Sequence, residues 1–160
     1  MEPAGAFTFV LHSHLPYTRA AGRWPHGEEW LHEAAAETYV PLLDMLYRLK
    51  ADGVRGGVTL GLTPVLLEQL ADDDVRANFR SYLHDKITAA SADIDRFESS
   101  GEKHLACLAG FYRERYESVC TAFEQTYGGN LVPAFRDLEQ AGTIEVITCG
   151  ATHGYLPLLD

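Results

Sequence analysis

Three short runs, "AFTFVL" (6–11), "GVTLGL" (57–62) and "TIEVIT" (143–148), punctuate an otherwise helical pattern, and they constrain the fold more than any other feature. They are nearly continuous in apolar and β-branched residues. Strands of that kind are buried on both faces, the habit of a parallel sheet covered by helices. The helical pattern between them is strong. Over 34–51, Tyr39, Leu42, Leu43, Leu46, Tyr47 and Leu49 share one stripe that Gly53 closes, and Pro41 inside it predicts that the helix begins or bends there. "TPVLLEQL" predicts a helix with Thr63 as N-cap and Pro64 at its first position. Long helices are predicted over 74–99 and 102–127, the second striped by Leu105, Leu108, Tyr112, Tyr116, Val119 and Phe123, and a shorter one over 131–140. The order strand, helix, strand, several helices, strand predicts a parallel α/β arrangement with right-handed crossovers. Its 160 residues are about the length of one domain.

Composition narrows the partners. With 46% hydrophobic residues the chain has material for a core, and its formal net charge of −10 disfavours nucleic acid and anionic membranes. No protein partner is indicated. Cys107, Cys120 and Cys149 show no CxxC spacing. Cys107 and Cys120 lie in helical patterns and read as small buried residues, so a reducing, cytoplasmic setting is expected. The first apolar run is too short for a signal peptide or a membrane span, and no basic residues precede it. GxGxxG, a phosphate loop and GxSxG are missing from the sequence, which weakens dinucleotide, ATP and esterase readings.

Chemistry in parallel α/β folds gathers at the carboxyl ends of strands. His12 and His14 follow the first apolar run in "VLHSHLPY", and His153 follows the third in "THGYLPLL". Imidazoles there can ligate a metal, move a proton or hydrogen-bond a substrate hydroxyl. One such histidine is most simply a strand-end cap; three at matched ends suggest a site. The stretch 18–33 reads as a long loop carrying Trp24, Glu28, Glu29 and Trp30, and Tyr17 and Tyr155 lie beside the histidines. Aromatic faces stack on sugar rings and also simply pack; glutamates bind hydroxyls or stay as solvated charge. Together these residues favour a sugar site over a metal-only site.

Three quoted stretches carry a family resemblance: "FTFVLHSHLPYTRAAGRWPHGEEWLHEAAAETYVPLL", "TLGLTPVLLEQLAD" and "IEVITCGATHGYLPLL". In order and spacing they resemble the N-terminal part of glycoside hydrolase family 57, most closely its 1,4-α-glucan branching enzymes, with "HSH" where "HAH" is more usual. The resemblance implies residues 1–160 as the first three βα units of a distorted (β/α)7 barrel, with a long helical insertion between the second and third strands. It implies an α-glucan substrate, a retaining mechanism and no cofactor or metal. It places His12, His14 and His153 in the subsite that holds the transferred sugar, with Trp24 and Glu28 in the same pocket. Retaining chemistry needs two carboxylates roughly 5–5.5 Å apart. The family's nucleophilic glutamate and acid/base aspartate match no residue up to Asp160, so the isolated chain is expected to be inactive and, with an open sheet, prone to self-association. A metal-dependent deacetylase-like hydrolase and a non-catalytic glucan-binding module are the competing readings.

Overall fold

The computed structural model describes residues 4–54 and 56–159. Three parallel strands, β1 (Phe9–Ser13), β2 (Val58–Leu62) and β3 (Glu145–Ile147), lie side by side in chain order. The register pairs Leu11 with Leu60 and His12 with Gly61, then Leu60 with Val146 and Gly61 with Ile147. Side chains alternate across the sheet. Leu60 and Leu62 therefore share one face with Val146, and both leucines are buried there. The opposite face carries Val10, His12, Thr59, Gly61 and Ile147.

The first strand departs from expectation in two ways. It begins at Phe9, so His12 lies inside it, and Phe9 and Val10 are 56% and 64% exposed. β1 is an edge strand, and Val10 lies on the face opposite the buried leucines. A continuous apolar run signals the capacity to be covered on both sides, and at this edge strand that covering is incomplete.

A helical stretch runs from α1 (Glu28–Ala34) through a wide π turn (Ala35–Tyr39) into α2 (Val40–Ala51). The predicted loop over 18–33 therefore ends at Gly27. The Glu28 and Glu29 amides donate to the carbonyls of Gly22 (2.9 Å) and Arg23 (3.2 Å), which satisfies N–H groups that a helix start leaves open. Two glutamates in the first turn suit the positive end of the helix dipole. Gly27 permits the fold-back, since a Cβ there would collide with the Gly22 carbonyl. Pro41 lies in the first turn of α2, so the regular helix begins there, after the π turn, as the sequence predicts. Its ring would crowd the carbonyl four residues back, that of Glu37, and the π turn spans that residue. The freed Glu37 carbonyl accepts from Arg115 at 3.4 Å.

Beyond β2, Thr63 occupies the N-cap position of α3 (Pro64–Ala71) with Pro64 in its first turn, as the sequence predicts, although its hydroxyl makes no capping hydrogen bond. The Asp72 side chain caps α4 (Asp73–Ser100), accepting from the amides of Asp74 and Val75. Gly101, at φ 78°, turns the chain into α5 (Lys103–Thr121). A second π turn (Ala122–Thr126) and α6 (Val132–Gln140) lead to β3. The core gathers Leu31, Leu43, Leu46, Leu60, Leu66, Leu83, Phe123 and Leu138. The far half of the α4–α5 hairpin stands clear of it and closes on Ala90, Ala106 and Ala109. Leu108 and Tyr112 of the predicted α5 stripe are therefore exposed, and so is Cys107, against the expectation of burial; Cys120, nearer the core, is buried. Among the described residues no helix is long and apolar enough to cross a membrane.

This division predicts unequal truncations. Leu43→Ala, at a site with no exposed surface, should lower the unfolding free energy by about 2–5 kcal/mol, and Leu108→Ala, which is 44% exposed, by less than about 1 kcal/mol. Urea denaturation of the two variants checks this, and equal losses would contradict the placement of the core.

Candidate functional site

Alternation along β1 sends the His12 side chain to the face opposite the buried leucines, and His14 follows just past the strand end. The third histidine arrives from the turn after β3. The structure brings all three rings together: His153 lies 4.6 Å from His12 and 4.6 Å from His14, centroid to centroid, and His12 and His14 are 6.3 Å apart. His153 thus stands between the other two. It adopts a φ of 63°, a left-handed conformation uncommon outside glycine. Its amide donates to the Gly150 carbonyl at 2.8 Å, and its Nδ1 lies 3.1 Å from the Cys149 Sγ.

His153 stacks on His12 at an interplanar angle of 28° and is tilted by 35° against His14. The His153 Nδ1 is turned to the Cys149 Sγ and the His12 Nδ1 lies beside Gly61, so these nitrogens face different neighbours. The arrangement suits a row of hydrogen-bonding groups better than shared ligation of one ion. A cavity of about 190 Å³, lined by His12, Gly61, Thr63, Cys149 and His153 among others, opens beside it. Gly61 makes room for His12, since a Cβ there would sit 3.1 Å from the His12 Nδ1. The Thr63 hydroxyl and the His14 Nδ1 are buried without a hydrogen-bond partner.

The remaining predicted residues are placed differently. Tyr155 shares a shallow depression with His153, Cys149 and Leu156, and is 70% exposed. Trp24 is also 70% exposed, on the loop before α1, and the Trp30 ring packs on His26 at 5.1 Å. The Glu28 carboxylate is turned to α4 and its own helix, accepting from Asn78 at 2.9 Å and lying 3.3 Å from the His32 Nε2. With Arg23 and Ser81 these residues line a separate cavity of about 120 Å³.

Gln69 is what sequence reasoning missed. Its carbonyl oxygen accepts from the Thr18 amide at 2.8 Å and the Thr18 hydroxyl at 3.1 Å; its amide nitrogen donates to the Pro16 and Val65 carbonyls, each at 3.1 Å. A polar residue beside Leu66 and Leu70 on the buried face of α3 was the available signal. Loss of a buried partner leaves its mates desolvated and unpaired. Gln69→Leu should therefore lower the unfolding free energy by about 2 kcal/mol, with its largest chemical-shift changes at residues 16–18. An unchanged urea midpoint would show that this loop is held by other means.

Burial first, then the positive charges of His153 and His12, hold the His14 imidazole below its ordinary 6.5. Burial likewise lowers the buried His32. Below pH 6.5 the unfolded chain takes up protons at both residues before the folded chain does, so stability falls as pH drops through that value. Proton NMR should place the His14 midpoint below 6.5, and His153→Asn should move it upward by removing one of the two charges. A midpoint at or above 6.5 in the parent chain would contradict the compact cluster.

Residues 8–160 match Glycosyl hydrolase family 57. The chain is 41% identical over 155 residues to 1,4-alpha-glucan branching enzyme TK1436 of Thermococcus kodakarensis, an alignment covering 97% of this chain and 22% of that protein. The crystal structure of TK1436 with glucose superposes with a TM-score of 0.81 at 40% identity over 98% of this chain and 27% of that one. The GH57-type branching enzyme of Pyrococcus horikoshii gives a TM-score of 0.89 at 44% identity, covering 98% of this chain and 29% of that one. The α-amylase AmyC of Thermotoga maritima gives 0.81 at 33% identity, covering 96% and 29%. The chain thus spans less than a third of each of these proteins. With the family match spanning residues 8–160, the chain belongs to glycosyl hydrolase family 57.

Proposed function

We propose that this chain forms one wall of the sugar-binding cleft of an α-glucan-active enzyme, and that the enzyme is a 1,4-α-glucan branching enzyme. The three parallel strands are then the first three βα units of a (β/α)7 barrel, with α3 to α6 as the helical insertion. The observation that carries the reading is the row of His12, His14 and His153 at the carboxyl ends of β1 and β3. The names of the relatives support it.

The row has the chemistry a glucose unit needs. A neutral imidazole presents one N–H donor and one nitrogen acceptor. Three in a row match the alternating donor and acceptor demands of adjacent ring hydroxyls. Holding His14 neutral near pH 7 keeps its acceptor nitrogen available. Tyr155 and Trp24 stand exposed nearby in sequence, with faces free to stack on a sugar ring. The Glu28 carboxylate pairs with Asn78 and His32, and its amide ties the start of α1 back to the loop that bears Trp24.

Branching proceeds by attack of a carboxylate on the anomeric carbon, expulsion of the leaving 4-oxygen with a proton from a second carboxyl, and transfer of the held glucan to a 6-hydroxyl. Residues of this chain hold the sugar through those steps. The reading assigns neither the nucleophile nor the acid/base to any of the 160 residues, so the chain by itself turns nothing over. It places the enzyme in the cytoplasm, in glycogen formation.

Part of a cleft binds weakly, because most subsites are missing. Maltooligosaccharide titrations followed by NMR should give a Kd on the order of 1 mM, with shifts at His12, His14 and His153. His153→Ala should weaken binding about tenfold, the loss of hydrogen bonds worth about 1.4 kcal/mol. No shift at the histidines would overturn the reading of the wall. New α-1,6 links formed from amylose by the chain alone would overturn its inactivity.

A further inference from the structure

A second group of metal-capable side chains lies away from the histidine row. His84 projects from α4, Cys120 from the last turn of α5, and Glu124 from the π turn that follows. Their ligand atoms all lie within 4.8 Å of one another. We propose that His84, Cys120 and Glu124 bind one divalent cation of the zinc class at the core end of the α4–α5 hairpin.

The geometry is close to what such an ion requires. The Cys120 Sγ and the His84 Nε2 are 3.8 Å apart. Tetrahedral zinc, with bonds of about 2.3 Å to sulfur and 2.0 Å to nitrogen, sets those atoms about 3.5 Å apart. The difference for this pair is a few tenths of an ångström, and the three ligand atoms lie within 4.8 Å of one another. The helices settle the rest. Cys120 and Glu124 are four residues apart and so point to one side. The hairpin register brings His84 opposite Cys120, as it brings Arg80 opposite Glu124, with the Arg80 Nε 3.6 Å from the Glu124 Oε1.

The donor set selects the ion. A thiolate, an imidazole and one carboxylate suit zinc and its neighbours among first-row metals; calcium and magnesium prefer oxygen ligands throughout. Cys120 is buried, and His84 and Glu124 are exposed, so the sulfur is shielded while solvent reaches the site from the other two ligands. That leaves a way in and a fourth position for water. Burial first, then Glu124, push the Cys120 thiol up. Without a cation the sulfur therefore keeps its proton, and a bound cation replaces that proton, which passes to solvent as the metal–sulfur bond forms. No electron changes hands. Arg80, already paired with Glu124, remains outside the ligand set and orients the carboxylate, as outer partners of metal ligands commonly do.

The proposal is independent of the sugar-binding reading, since none of its ligands belongs to the histidine row. The test uses the chain after dialysis against a chelator, titrated with cobalt(II). Expected is a cobalt–thiolate charge-transfer band that saturates at one equivalent and is displaced by zinc. The band should vanish in Cys120→Ser, which keeps the side-chain volume, and the affinity should fall at least about tenfold in His84→Gln and Glu124→Gln, both at exposed positions. It should be unchanged in Cys149→Ser, Cys107→Ser and His153→Ala. No thiolate band at one equivalent would overturn the proposal. So would a band that survives Cys120→Ser, or one that is lost in Cys149→Ser and so belongs to the Cys149–His153 pair.

Discussion

The Gln69 side chain fixes where the candidate site can be. One primary amide, buried on α3, supplies both polar functions that the loop after β1 needs: an acceptor for Thr18 and a donor for Pro16. A second donation, to Val65, anchors the amide to its own helix. The rest of the strand-end architecture converges on the same helix. The Thr63 amide, just before α3, donates to the Ser13 carbonyl at 3.3 Å, and the Val65 amide in its first turn donates to the Ala151 carbonyl at 3.1 Å. So the ends of β1 and β2 and the turn after β3 all meet at the start of one helix. A histidine in the first loop and another in the third can stack only because both loops are tied to that point.

Charge arranges the outer part of the first loop. Arg19 reaches Asp72 (2.5 Å) and Asp74 (2.8 Å), and Arg23 reaches Asp85 (3.1 Å) and Glu29 (3.8 Å). Pairs that solvent still reaches, as here, contribute little stability each. Their effect is orientation. An acidic chain offers each cationic side chain several carboxylates, and those that α4 presents lie along one line, so the loop is laid against that helix. Asp72 belongs to two structures at once, because its other oxygen caps α4. The loop bearing Trp24 is therefore fastened to α4 at one end and enters α1 at the other.

Much of this was legible from residue patterns. The three strands, the Thr63–Pro64 helix start and the placing of histidines at strand ends follow from short-range rules, because each depends on a few neighbouring residues. What escaped depends on tertiary partners. Gln69 looks like an interruption of an apolar stripe until its partners, some fifty residues earlier in the chain, are in place. Glu28 begins a helix because carbonyls from Gly22 and Arg23 fold back onto it, which no local pattern announces. Cys107 and Cys120 occupy similar helical contexts, yet one is exposed and the other buried, since only the second lies where the hairpin meets the core. The proximity of His84 and Cys120 is likewise set by the hairpin register rather than by any spacing along the chain.

The two π turns show how local irregularity serves the packing. The first covers Glu37, whose carbonyl is released from the helix and accepts from Arg115 of α5. The second, Ala122–Thr126, ends at Tyr127, whose hydroxyl donates to Asp44 of α2 and whose ring lies 5.9 Å from that of Tyr47. Burial and this hydrogen bond to Asp44 both push the Tyr127 phenol up, so it stays a donor at any ordinary pH. Both wide turns thus lie along the seam where the helices on either side of β2 meet. A regular helix consumes its own carbonyls and repeats its side chains every 3.6 residues. A π turn frees a carbonyl and shifts that phase. At this seam the first effect supplies an acceptor for Arg115, and the second sets the phase at which Glu124 and Tyr127 leave the helix.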